Sequence, residues 1–208
     1  MKVVLLNGSP NELGCTYTAL SEVAGALKAS GVDSEMLWIG KSPISGCVAC
    51  YGCAGGPKGC VIKDSANDVA AKITAADGLI VGSPVYYAKA NGSLCALLDR
   101  VFFSTGRYYY RGKPAAAIVS CRRGGATAAF DNLNKYFSNT GMPMVSSQYW
   151  NMVHGSQPDE VKQDLEGLQT MRTLGQHMAW MIKCIKAGKE AGIDLPELEK
   201  RVWTNFIR

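Results

Sequence analysis

Lys2-Val3-Val4-Leu5-Leu6-Asn7-Gly8-Ser9-Pro10-Asn11-Glu12-Leu13-Gly14-Cys15-Thr16-Tyr17-Thr18 is an apolar run that breaks into a small, polar loop and then into helical periodicity. Val3 to Leu6 are continuously apolar rather than alternating, as expected of a parallel strand covered on both faces. Gly8, Ser9, Gly14, Thr16 and Thr18 then place free backbone N–H groups and hydroxyls where a helix opens. Helix N-termini attract anions through their unpaired N–H groups and the helix dipole. The loop lacks the Gly-Lys-Ser/Thr of a P-loop and the Gly-x-Gly-x-x-Gly of a dinucleotide fold. A cradle of N–H and O–H donors without lysine suits the phosphate of a flavin mononucleotide held without a metal. The plainer alternative is an ordinary strand-to-helix turn with a Ser/Thr cap.

Outward from that stretch, strands and helices alternate. A helix is expected over 16–30, a strand over 34–39, a long loop over 40–63, a helix over 64–75 and a strand over 78–82. A loop to 91, a helix over 91–103, a strand over 115–120, a loop over 121–125 and a helix to 139 follow. A fifth strand is expected over 144–149 and a last long helix over 158–187, with 188–208 forming a helical tail. Such alternation implies parallel pairing through right-handed crossovers. The predicted fold is therefore α/β: a doubly wound, five-stranded parallel sheet in the order 2-1-3-4-5, sandwiched between helices. Residues 1–187 form its single domain. Ligands of such sheets sit beyond the carboxyl ends of the strands at the switch point. Three loops, 7–18, 83–91 and 120–125, should meet there.

The 208 residues are 47% hydrophobic and 19% charged, an ordinary composition for one domain. No segment has the apolar length of a membrane span and no signal peptide is visible, so a cytoplasmic location is the default expectation. The net charge of +5 is mild and spread out, with no basic run interleaved with aromatics, so neither nucleic acid nor membrane is an expected partner. There is no Gly-x-Ser-x-Gly elbow and no His-Glu-x-x-His, so hydrolase chemistry has no support.

Four of the eight cysteines fall in the pattern Cys47-x2-Cys50-x2-Cys53-x6-Cys60. Three thiolates at three-residue steps can turn inward around one centre, and a fourth after Ala-Gly-Gly-Pro-Lys-Gly can close it. Thiolates bind iron–sulfur clusters and structural zinc. The spacing suits a single [4Fe–4S] cluster better than the paired knuckles of zinc sites, and a metal-free thiol loop is the remaining alternative. In the second loop Pro84, Val85, Tyr86 and Tyr87 offer aromatic faces for a planar ring, and in the third Arg122, Arg123, Gly124 and Gly125 bring charge and free backbone to the same opening.

Together, Gly8-Ser9-Pro10 with Gly14 and Thr16, the cysteine loop ending Gly59-Cys60-Val61-Ile62-Lys63-Asp64, Ser83-Pro84-Val85-Tyr86-Tyr87 and Asp99-Arg100 resemble the NADPH-dependent FMN reductase family of flavodoxin-like proteins. Within that family the chain is most similar to the iron–sulfur flavoproteins. The likeness covers roughly residues 1–150. It implies FMN near a subunit interface in a homodimer or homotetramer, with a cluster in members that keep all four cysteines. Carried over by position, Ser9, Pro10, Gly14, Cys15, Thr16 and Tyr17 would hold the phosphate, Pro84 to Tyr87 would border the isoalloxazine, and Ser120 to Gly125, Arg122 and Gly124 among them, would form the third wall. Cys47, Cys50, Cys53 and Cys60 would be the metal ligands.

Asn11 and Cys15 stand where many relatives have arginine and asparagine, which implies a lower FMN affinity. The expected activity is an oxidoreductase taking electrons from NAD(P)H or a reduced ferredoxin to a small-molecule acceptor such as a quinone, flavin or nitro compound. The chemistry would lie in the flavin, with no catalytic side chain. The alternatives are a non-catalytic electron carrier and the same reductase without a cluster.

Overall fold

The computed structural model describes residues 1–54, 58–200 and 202–204. Strand β1 (Lys2–Asn7) lies between β2 (Asp33–Trp38) and β3 (Gly78–Tyr86), all parallel. β3 pairs in parallel with β5 (Ala115–Cys121), and β5 with β6 (Met152–His154). The order β2-β1-β3-β5-β6 is the expected doubly wound one. The two-residue β4 (Lys89–Ala90) folds back antiparallel onto the end of β3.

The continuous apolar runs divide between the two faces of the sheet. Val4, Leu6, Leu79, Val81, Ala117 and Val119 face one core. It is closed by α2 (Ala66–Ala75), α3 (Gly92–Val101) and, beyond the three-residue α4 (Arg107–Tyr109), α5 (Ala126–Thr140). Val3, Leu5, Ile80, Ala116 and Ile118 face the other, under α1 (Cys15–Ala29) and α7 (Leu165–Glu190). Each fully buried Val, Leu or Ile side chain contributes about 1.5–3 kcal/mol relative to exposure. Helices α1 and α7 approach closely at Gly175, where a Cβ would come to 2.7 Å from that of Ala26.

Three expectations are corrected. The fifth strand is at Met152–His154 rather than 144–149. Only Met144 bridges Ala115 in the expected stretch. The chain then loops out, Ser147 Oγ donates to Asn151 Oδ1 at 2.7 Å, and buried Asn151 donates from Nδ2 to the Ala117 carbonyl at 3.1 Å. Asn151 is thus joined to β5 by its side chain and by its own carbonyl, which accepts from Val119 N at 3.0 Å, and Tyr149 at the end of the expected strand is exposed. The last helix is broken into α6 (Pro158–Val161) and α7, because Asp164 caps Gly167 N at 2.9 Å and restarts the turn. Past Glu190 the described residues of the tail are not helical. They run over the surface, where Arg111 donates to the Pro196 carbonyl at 2.7 Å. Among the described residues no helix is long and apolar enough to cross a membrane.

Candidate functional site

The loop after β1 is fixed by its own short-range bonds. Asn7 Oδ1 accepts from Ser9 N at 3.1 Å while Asn7 Nδ2 donates to the Glu12 carbonyl at 2.9 Å. Ser9 Oγ accepts from Asn11 N at 3.1 Å, and Trp38 at the end of β2 donates from Nε1 to the Ser9 carbonyl at 2.8 Å. Gly8 N donates to the Gly82 carbonyl at 2.9 Å, tying the loop to β3. Space for a side chain at Gly8 is missing, since a Cβ would stand 2.8 Å from the Gly82 carbonyl and 2.4 Å from Leu94 Cδ2. Gly14 is the extended N-cap of α1 and brings no capping side chain, so the first-turn amides of the helix are left for another acceptor.

Three segments distant in sequence meet at this edge. Thr16 Oγ1 and Ser120 Oγ, both buried, share a hydrogen bond of 2.9 Å and join the first loop to the third. The second loop is a β3–β4 hairpin whose two turn residues, Tyr87 and Ala88, both have positive φ (49° and 57°). This is the twist of a tight hairpin turn, normally made with Asn or Gly. Its base is fixed by Ser83 Oγ, which accepts from Asn91 N at 2.9 Å, while Asn91 Oδ1 caps Ser93 N and Leu94 N of α3. The hairpin rests on Gly125 (φ 87°), where a Cβ would come within 2.8 Å of Ala88 Cα. Tyr87 is fully exposed and Tyr86 partly so, and Arg122, Arg123 and Gly124 are exposed beside them.

The cysteine loop occupies a separate region. Cys47, Cys50, Cys53 and Cys60 line one cavity of about 130 Å³, together with Arg100 and Phe103. Cys53 is buried, Cys60 half-buried, and Cys47 and Cys50 are exposed. Ala49 and Tyr51 have positive φ (50° and 55°), which turns the chain between successive cysteines. Among the described residues no three His, Cys, Asp or Glu side chains are grouped to hold one metal ion. The thiols thus surround a chamber rather than a point. Residues 55–57, between Cys53 and Cys60, lie outside the described residues. Arg100, on α3, is 1% exposed and reaches from under the loop to Cys60 Sγ and to Asp64. Its guanidinium holds the Asp64 carboxyl below the usual carboxylate range.

The description NADPH-dependent FMN reductase fits residues 1–157 as a family model. The chain belongs to that family. An iron–sulfur flavoprotein of Methanocaldococcus jannaschii is 30% identical over 193 residues, covering 89% of this chain and all of that protein. The fold is shared with a flavodoxin from the domain Archaea, with a TM-score of 0.61 and 17% identity over 88% of this chain and 99% of that one. It is shared as well with an NADH:FMN oxidoreductase in its apo form, with a TM-score of 0.63 and 19% identity over 86% of this chain and 88% of that one. Membership makes the chain a flavodoxin-like flavoprotein of the oxidoreductase class.

Of the FMN reductase positions expected from the sequence, Ser9, Gly14, Thr16 and Ser120 are brought together at the carboxyl edge of β1 and β5. Pro84 to Tyr87 and Gly125 form the neighbouring wall. Cys15 turns its sulfur away, toward the Gly155 carbonyl at 3.6 Å, and burial pushes its thiol pKa up, so only its amide faces the helix start. His154 pairs with Asp164 at 3.5 Å and His177 lies against the Ser146 carbonyl. The positioning roles of Asn7, Trp38, Asn91 and Arg100 did not emerge from spacing. Asn91 before Gly-Ser-Leu carried a capping signal. Arg100, set among the buried Leu97, Leu98 and Val101, was an arginine on the apolar side of a helix.

Proposed function

We propose that this protein is an FMN-dependent oxidoreductase that moves electrons from NAD(P)H or a reduced ferredoxin to a small acceptor such as a quinone, flavin or nitro compound. FMN and a [4Fe–4S] cluster would be its redox groups, and homodimer or homotetramer its assembly. The observation that carries the flavin reading is the meeting of three loops at the switch point of the sheet, the first and third through Thr16 and Ser120 and the second and third through Ala88 and Gly125. Ser9, Thr16 and the first-turn amides of α1 would hold the phosphate, which needs donors and no metal. The β3–β4 hairpin and Gly124–Gly125 would border the ring and leave it open on the solvent side. When bound, FMN supplies the electron-transfer chemistry, and the chain's residues bind, orient and exclude water.

The cluster reading rests on four cysteines sharing one chamber. Each thiolate of a four-iron cluster binds its own iron, so the sulfurs need not converge on one ion. The exposure of Cys47 and Cys50 favours one second reading, a carrier that exchanges electrons with a docked protein rather than a small molecule. Turnover decides between them. Steady oxidation of NAD(P)H with a quinone is expected, and reduction solely by a protein donor would establish the carrier. Anaerobically purified protein should be coloured and contain iron and sulfide. Cys50→Ala should lose the iron and keep FMN; unchanged iron in that variant would end the cluster assignment.

A further inference from the structure

The guanidinium of Arg100 has five N–H donors, and all five are occupied. Nη1 donates to the Ser45 carbonyl at 3.1 Å and to Asp64 Oδ2 at 2.5 Å; Nη2 donates to the Ile62 carbonyl at 3.2 Å and to Asp64 Oδ1 at 2.8 Å. Four bonds thus fix the plane of the group against the two ends of the cysteine loop. The fifth donor, Nε, points at Cys60 Sγ at 3.2 Å. A neutral thiol is a weak acceptor for a buried cation, whereas a thiolate is a strong one. Two more features single out this spot. Phe103 and Ser104, on the wall of the same cavity, belong to a π-helical segment, Phe102–Gly106, that starts two residues after Arg100. Such widened turns are frequent at functional sites. Lysine, a point charge on a flexible stem, could not span this set of acceptors.

We propose that Arg100 is a positioning residue that fixes Cys60 and, through its Nε–H on the sulfur and its buried charge, raises the reduction potential of a cluster bound by the four cysteines. Asp64 acts as the counterweight that limits this effect. The inference rests on the cluster reading above. Reduction adds one electron, and so one negative charge, to the cluster and its thiolates. A hydrogen bond to sulfur and a nearby positive charge stabilise the reduced form, while a nearby carboxylate opposes it. The fold applies both at once: a cation on α3 reaching the ligand, and an anion four residues past that ligand holding the cation in plane.

The test is a mediated redox titration, followed by electron paramagnetic resonance, of anaerobically reconstituted wild type, Arg100→Lys and Asp64→Asn, with the electron supplied by dithionite-reduced viologen. At a fixed solution potential Arg100→Lys should show about a tenfold lower ratio of reduced to oxidised cluster, equivalent to about 59 mV for a one-electron couple. Asp64→Asn, which retains the guanidinium and removes its counter-charge, should shift the ratio the other way. Iron and sulfide analysis accompanies each sample. Wild-type ratios in both variants at full iron content would overturn the role of Arg100 and leave the cluster reading standing. Wild-type protein that takes up no iron and sulfide would overturn both. If Arg100→Lys fails to fold, Asp64→Asn decides alone: a raised ratio supports the proposal and an unchanged or lowered one refutes it.

Discussion

The loop after β1 and the loop after β2 leave neighbouring strands at the same edge of the sheet, yet they are held in opposite ways. The first is short and is fixed mainly by bonds within itself, Asn7 to Ser9 and Glu12 and Ser9 to Asn11, with Trp38 and Gly82 as neighbours. The second is long, largely exposed, and, among the described residues, fastened by the Arg100 guanidinium far along the chain and by the Asn67 amide of α2, which bonds both backbone groups of Cys60. Local bonds make a loop that forms as soon as its strand and helix form. A loop hung chiefly on a distant side chain depends on the rest of the fold being in place first.

The largest single effect should come from Arg100. Arg100→Leu would leave the Ser45 and Ile62 carbonyls without the guanidinium and Asp64 with only the Ala66 amide. Unpairing a buried ion pair costs about 3–5 kcal/mol. Asp64 retains some solvent, so about 3 kcal/mol is expected by chemical denaturation, with protease cleavage appearing in the cysteine loop first. A loss below about 1 kcal/mol would mean that the loop is held diffusely.

Gly8→Ala attacks the other loop. Its Cβ meets a backbone carbonyl, and overpacking of this kind costs about 1–3 kcal/mol. FMN affinity, read by fluorescence quenching, should fall with it while the cysteine loop stays protease-resistant. Wild-type stability and FMN affinity together would show that this loop yields more easily than its packing indicates. Trp38→Phe removes one donor to the Ser9 carbonyl, worth about 1 kcal/mol, and should weaken FMN roughly fivefold. An unchanged dissociation constant would show that the loop holds its shape without help from β2.

The smallest effect is a pH dependence. Arg100 lowers the folded-state pKa of Asp64, so the unfolded chain binds the proton first, and the pair's stabilisation is present above an unfolded value of about 3.9. It is lost as pH falls through the lower folded value. The stability gap between wild type and Asp64→Asn should therefore be open at neutral pH and close under acid, and a constant gap would remove Asp64 from the account.

The contrast between the loops also explains what could be read from the sequence. Strand order and both cores were legible because Val3 to Leu6, Leu79 to Val81 and Ala115 to Val119 are unbroken apolar runs, and burial on two faces leaves them no other place. The course of the turn after β1 was legible for the reason that it holds together: its partners lie within a few residues. The bond from Arg100 to Cys60 spans forty positions and so leaves no local pattern. The fifth strand was misplaced because the stretch from Met144 to Tyr149 has strand-forming residues and Asn151 is not one, whereas Asn151 supplies the buried bond to β5. The break before α7 was hidden in a helix-favouring stretch and set by one cap, Asp164.

The contact of Gly125 with Ala88 carries a consequence for how the chain can vary. Two non-glycine residues in a left-handed turn store strain, and a glycine backbone pressed against them leaves no slack for relief by sliding. The hairpin and the start of α5 are thereby tied to each other. A side chain at position 125 would meet the Ala88 Cα, which no substitution at 88 removes, and would sit at a φ of 87°, so this position admits only glycine without a shift of the hairpin.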